Sequence, residues 1–186
     1  DADGPVGSTG EETNTLFLQD DTGHFTDATA ASGLADRGYG MGVAVGDVDS
    51  DGDPDVYVTN LGADRLFINE GGGKFTDGTT AAGLGDDGWC CSATFLDYDA
   101  DGNLDLFVTR YVQFERSSEC TDTLGRRDFC SPKTFPPVAD LLYHNEGGGR
   151  FRDVSAEAGI TSERAAGLGV VSADFDGDGL LDIYVA

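Results

Sequence analysis

The sequence predicts an all-β fold: tandem four-stranded, propeller-type blades, about three in number and incomplete as a closed monomer. Three observations predict it. Two motifs recur in step along the chain, each recurrence holds four short apolar runs parted by glycine and aspartate, and no stretch carries a long amphipathic helical period.

The first motif reads GMGVAVGDVDSDGDPDVYVTN from Gly40, CCSATFLDYDADGNLDLFVTR from Cys90 and GLGVVSADFDGDGLLDIYVA from Gly167. The second reads NTLFLQDDTGHFTDATAASGL from Asn14, DRLFINEGGGKFTDGTTAAGL from Asp64 and LLYHNEGGGRFRDVSAEAGI from Leu141. Asp47 to Asp97 is a shift of 50 residues and Asp97 to Asp174 one of 77, so the second unit carries an insertion of about 26 residues, within 111–139. It holds Cys120, Cys130 and the stretch SPKTFPP and reads as a stapled surface loop rather than a domain boundary.

Within a unit, Val43–Val45 and Val56–Val58 read as the first two strands, joined by an Asp-Gly-rich turn. Leu66–Ile68 and Lys74–Thr76 form a hairpin across Gly71–Gly73. Thr29–Leu34, Thr79–Leu84 and Ser155–Ile160 then predict one helical turn, with a Ser or Thr cap and an exit glycine. The expected layout is a single repeat domain over 1–186: a half blade at 14–34, blades at 40–84 and 90–160, and a half blade at 167–186. Trp89 and Tyr39 occupy matching positions and are expected to pack between blades.

The pattern DxDxDGxxD carries the chemistry. Its copies are Asp47, Asp49, Asp51, Gly52, Asp55; Asp97, Asp99, Asp101, Gly102, Asp105; and Asp174, Asp176, Asp178, Gly179, Asp182. Carboxylates two apart in a curled loop converge on one point, and the glycine supplies the sharp turn. Ca2+ takes 6–8 oxygen ligands, and a D-x-D-x-D-G opening is one known way to supply them. Here the closing acid comes at position nine, where it can act in a bidentate way, and the flanks are strands. The backbone carbonyls of Asp53, Asn103 and Leu180 are the expected ligands at position seven. Thirteen of the 35 acids sit in these loops (five, four and four) with no Lys or Arg among them, so a divalent ion is the simplest neutraliser. About three Ca2+ per chain are expected; Mg2+ keeps its water too firmly to suit all-protein cages. Asp1-Ala2-Asp3-Gly4 resembles the tail of a fourth loop, but no closing acid follows it.

Composition narrows the partners. A formal charge of −24 argues against nucleic acid or an anionic membrane, and no apolar run approaches the ~18 residues of a membrane span. The first residue is Asp1 and the sole methionine is Met41, so the sequence reads as a processed or excised piece. Cys120 and Cys130 are expected to pair, closing a loop worth about 3 kcal/mol by chain entropy. Cys90 and Cys91 either pair with the insertion or form a vicinal disulfide, the latter being the expectation. His24 and His144 read as surface turn and strand residues beside no nucleophile motif, and zinc is disfavoured by the lack of CxxC.

With these residues in view, the chain resembles the FG-GAP and VCBS-type repeats of integrin-α-like β-propellers. It is most similar to the bacterial relatives of cartilage acidic protein, through GDxDxDGxxDLYVxN followed by RLFxNxGxGxFTDVTxxAG, as in Asp64–Gly83 and Leu142–Gly159. The insertion GRRDFCSPKTFPPVADLLYHNEG also resembles that group. The resemblance implies calcium in the loop between the first two strands of a blade, and a secreted or surface-exposed protein of adhesion, recognition or matrix. The family's longer C-terminal region lies outside this sequence.

The expected function is a calcium-binding, extracellular structural or adhesive module that is not an enzyme. Open strand edges at both ends are to be met by copies of the chain or by neighbouring blades of a longer propeller. Two other functions compete: a propeller hydrolase, and a glycan- or protein-binding module using Arg126, Arg127 and Phe129 of the insertion.

Overall fold

A computed structural model describes residues 13–115 and 117–186. The Asp1–Gly4 stretch lies outside the described residues. Two four-stranded antiparallel sheets form the centre of the chain. The first runs β3 (Tyr39–Gly46), β4 (Asp55–Leu61), β5 (Arg65–Asn69), β6 (Phe75–Asp77), in sequence order. The second takes β7 (Cys90–Leu96), β8 (Asp105–Arg110), β11 (Leu141–Asn145) and β12 (Phe151–Asp153) in that order. Between β8 and β11 the insertion forms its own hairpin, β9 (Cys120–Thr121) with β10 (Arg127–Asp128). Two two-stranded sheets flank the pair: β1 (Phe17–Gln19) with β2 (Phe25–Asp27), and β13 (Val170–Ala173) with β14 (Asp182–Val185). Among the described residues the protein is all-β apart from a four-residue helix α1 (Thr29–Ser32) and two single 3-10 turns.

The sheets pack face to face as blades do, because alternate residues of each strand point to opposite neighbours. Ala44, Tyr57 and Leu66 of the first blade meet Ala93, Leu106 and Val108 of the second in one buried cluster. Leu96, Phe107 and Leu142, on the far face of the second blade, receive Val170, Ile183 and Val185 of the β13–β14 pair. On the other side Leu34, Val58 and Phe67 close over Leu16 of the β1–β2 pair. The innermost strands approach so closely that a Cβ at Gly42 would lie 2.5 Å from the Cys91 carbonyl oxygen. The small residues of GMGVAVG therefore set the spacing of blades one and two.

Several expectations are corrected here. The Ser or Thr at the start of the short turn does not cap a helix. Thr29, Thr79 and Ser155 hydroxyls instead accept the N–H groups of Leu16, Leu66 and Leu142, each at 2.9 Å, tying the turn to the third strand. The turn is held by the aspartate two residues earlier, Asp27, Asp77 or Asp153, which accepts the Thr or Ser N–H. Only the first copy is α-helical; the other two are hydrogen-bonded turns, the last ending in a 3-10 turn at Ile160–Ser162.

The vicinal disulfide is also absent. Cys90 and Cys91 are buried free thiols, since neighbours on a strand send their side chains to opposite faces and β7 bulges between Cys90 and Ser92. Cys120 and Cys130 are bonded, with Cα atoms 5.1 Å apart. Trp89 joins the blades through its backbone, bridged to Leu61, but its ring packs edge-on against Tyr111 and Phe114 of the insertion, each at 5.2 Å. Tyr39 stays 40% exposed.

Candidate metal centre

The three acidic loops lie between the first and second strands of successive sheets, β3 and β4, β7 and β8, β13 and β14. They are folded alike, and their own main chain holds them. The first acid takes two N–H groups: Asp47 Oδ1 from Asp51 at 3.1 Å and Oδ2 from Gly52 at 3.0 Å. Asp97 does the same with Asp101 and Gly102, and Asp174 with Asp178 and Gly179. The acid at position five accepts the N–H of the seventh residue: Asp51 from Asp53 at 2.9 Å, Asp101 from Asn103 at 2.8 Å, and Asp178 from Leu180 at 2.8 Å.

The fourth position of each loop is left-handed, at Ser50 (φ 64°), Ala100 (φ 59°) and Gly177 (φ 81°). Only the third copy carries the residue that tolerates this without steric cost. That turn folds the loop back so that oxygens from positions one, three and nine converge. One oxygen each from Asp47, Asp49 and Asp55 lie within 4.8 Å of one another, as do those of Asp97, Asp99 and Asp105, and of Asp174, Asp176 and Asp182.

The acid at position nine pins the first two loops. Asp55 is fully buried; its Oδ2 accepts from Val48 N at 2.9 Å and its Oδ1 from Asn69 N at 2.8 Å. Asp105 is equally buried and accepts from Tyr98 N and Asn145 N. Each Asp55 oxygen thus keeps one lone pair for a cation, as does Asp105 Oδ2. Burial pushes the carboxyls of Asp55 and Asp105 up, against the pull of those N–H groups. Burial together with the charges of Asp51 and Asp47 raises Asp49 as well. Convergent carboxylates on a preformed turn, one of them buried in each of the first two loops and none in the third, with no lysine or arginine in the loop, fit a hard cation that takes oxygen ligands.

The second loop has an extra donor. His144, on β11 where the first blade has Ile68, is not a surface residue as expected. Its Nδ1 lies 3.2 Å from Asp105 Oδ1 and 3.4 Å from Asp99 Oδ2, and it groups with Asp99 and Asp101. A polar residue at an otherwise apolar strand position was the available signal. His24, by contrast, is exposed beside the β1–β2 turn, hydrogen-bonded to Thr22 at 2.9 Å.

The insertion offers less to a ligand. Arg126 is paired with Asp122 at 2.6 Å and Phe129 is 64% exposed on the hairpin flank. The nearest cleft, about 460 Å³ beside Trp89, Arg110 and Phe114, has neither Arg126, Arg127 nor Phe129 in its wall.

Repeated blades with an acidic loop between first and second strands define a class of protein. The chain belongs to the FG-GAP-like repeat family, which it matches over residues 6–58, 47–108 and 125–185. It is also similar to cartilage acidic protein 1 of mouse and of human, 42% identical to each over 55 residues, 30% of this chain. The match spans 8% of those relatives' length.

Proposed function

We propose that the chain is an extracellular, calcium-stabilised structural or adhesive repeat module. The observation that carries this is the threefold convergence of Asp47, Asp49 and Asp55, of Asp97, Asp99 and Asp105, and of Asp174, Asp176 and Asp182 on the same loop geometry. Asp51, Asp101 and Asp178, with the carbonyls of Asp53, Asn103 and Leu180, complete the oxygen set. The ion supplies charge neutralisation. The chain's own residues supply a preformed turn, and through Asp55 and Asp105 they couple that turn to the third strand of the same blade. Membership of the FG-GAP-like repeat family, the relatives named for cartilage and the Cys120–Cys130 disulfide support an extracellular setting. Among the described residues no helix is long and apolar enough to cross a membrane. A non-catalytic role is supported by the same relatives and by acids already engaged by their own loops.

At calcium tenfold above a site's dissociation constant each ion adds about 1.4 kcal/mol of stability, so three raise the melting temperature by many degrees. Thermal melts in millimolar calcium and in excess chelator test this. A large downward shift in chelator, reversed by calcium, is expected; identical melts overturn the reading.

A further inference from the structure

We infer that the first and second acidic loops take up their ions cooperatively, and that Asn145 carries the coupling between them. The inference rests on the calcium reading above and names how two of its sites regulate each other.

The position-nine acids of the two loops lie at the ends of one hydrogen-bonded chain. Asp105 Oδ1 accepts the main-chain N–H of Asn145 at 2.8 Å. The side chain of Asn145 donates from Nδ2 to the carbonyl oxygen of Val48, also at 2.8 Å. Val48 in turn donates its N–H to Asp55 Oδ2 at 2.9 Å. Asp55, Val48, Asn145 and Asp105 are all buried, none more than 1% exposed. Water therefore does not stand in for a link that opens, and each broken link leaves an unsatisfied group. Packing follows the same line. The turn after Asn145 runs through Gly147, Gly148 and Gly149, all left-handed. A Cβ at Gly149 would lie 3.5 Å from Val48 Cγ2 and 3.6 Å from Asp49 Cβ. The turn of the second blade thus rests on the first loop, beside one of its converging carboxylates.

That turn is the element with two states, seated on the first loop or released from it. Without an ion the converging carboxylates of each loop repel one another and favour looser loops. Filling the second loop fixes Asp105, and through it Asn145 and the seat of the turn. The seated turn holds Val48, and through it Asp55, where the first loop closes. Filling the first loop fixes the same chain from its other end. Both loops bias one equilibrium, so linkage makes the effect reciprocal: each raises the affinity of the other by the same factor. Among the described residues the third loop is held from within, by Asp174, Asp176, Asp178 and Asp182, and serves as the reference.

Nuclear magnetic resonance of the chelator-stripped 186-residue chain, titrated with calcium chloride, reads each loop through its own glycine amide. Gly52, Gly102 and Gly179 each donate to the first acid of their loop. Asp99→Ala with Asp101→Ala should raise the calcium midpoint at Gly52 at least ~5-fold. Asp49→Ala with Asp51→Ala should raise the midpoint at Gly102 by the same factor, and neither pair should move Gly179. Asn145→Ala should abolish both cross effects. So should Asn145→Asp, which keeps the acceptor for Gly147 N and loses only the donor, in case the alanine variant does not fold. Three midpoints shifted together by either variant would mark Asn145 as merely structural and overturn its role, as would cross effects that survive in both. A Gly52 midpoint indifferent to loss of the second loop overturns the coupling and leaves the calcium reading standing. Amides that ignore calcium throughout overturn the calcium reading, and this inference with it.

Discussion

The side chain of Asn145 reaches across 97 residues of sequence to donate from Nδ2 to the carbonyl oxygen of Val48, at 2.8 Å, inside the acidic loop of the preceding blade. The same nitrogen donates to Leu104 O of its own loop at 3.0 Å, and Asn145 Oδ1 accepts from Gly147 N. One buried amide therefore links two loops and a hairpin turn. Gly149 completes the dock, its Cβ position lying 3.5 Å from Val48.

Replacing Asn145 with Ala strands the buried carbonyl of Val48 and the partly buried carbonyl of Leu104. Unsatisfied buried acceptors cost roughly 1–3 kcal/mol each, so Asn145→Ala should lose about 2–4 kcal/mol by denaturant unfolding. Asn69→Ala should lose less, because among the described residues Asn69 Nδ2 donates only to Pro54 O. Equal losses would contradict the coupling of one blade to the next.

Asp64 is fully buried, accepting from Asn60 N at 2.7 Å and from the Tyr57 hydroxyl at 2.9 Å. Burial raises its carboxyl to about 6. A raised acid binds its proton more tightly folded than unfolded, so its contribution is fully present below about pH 4 and is lost as pH rises through 6. That change amounts to about 3 kcal/mol. In chelator, stability should fall from pH 4 to pH 7, and Asp64→Asn should flatten the slope. In calcium the trend is opposed, because ion binding needs Asp49, Asp55 and Asp105 deprotonated; the gap between calcium and chelator melts should widen with pH.

Ala100 holds φ 59° where the third loop has Gly177. Ala100→Gly relieves the clash of Cβ with the backbone, offset by the greater freedom of glycine in the unfolded chain. A net gain of about 0.5–1 kcal/mol is expected in chelator unfolding curves. A loss of stability would mean that the left-handed turn is not where the loop stores strain.

Burial pushes the thiol of Cys91 up to about 11 and that of Cys90 higher still. The native protein at pH 8 should therefore resist alkylation. In denaturant two thiols should label without reductant and four with it. Four unreactive cysteines in denaturant without reductant would restore a second disulfide.

The blades and the shape of their acidic loops were legible in the sequence because both follow from local rules. Period-two alternation marks the strands, and aspartates two apart with a following glycine mark a curled turn. The Cys120–Cys130 bond was legible from its short spacing. What escaped depends on contacts between distant residues or on backbone detail. His144 reads as an ordinary strand residue until β11 is set beside β8, next to Asp105. Asn145 looks like a hairpin residue until the preceding blade is in place. Thr79 reads as a helix cap because its hydroxyl is the usual capping group; only the neighbouring strand shows that Leu66 N claims it. The adjacent cysteines invited a bond that strand alternation forbids.

The central claim is that three preformed aspartate loops each hold one calcium ion, and counting bound ions tests it most directly. Calorimetric titration of chelator-stripped protein with calcium should end at about three ions per chain, and at about two for Asp99→Ala paired with Asp101→Ala. A protein that takes up less than one ion per chain in millimolar calcium, while folded, would contradict it.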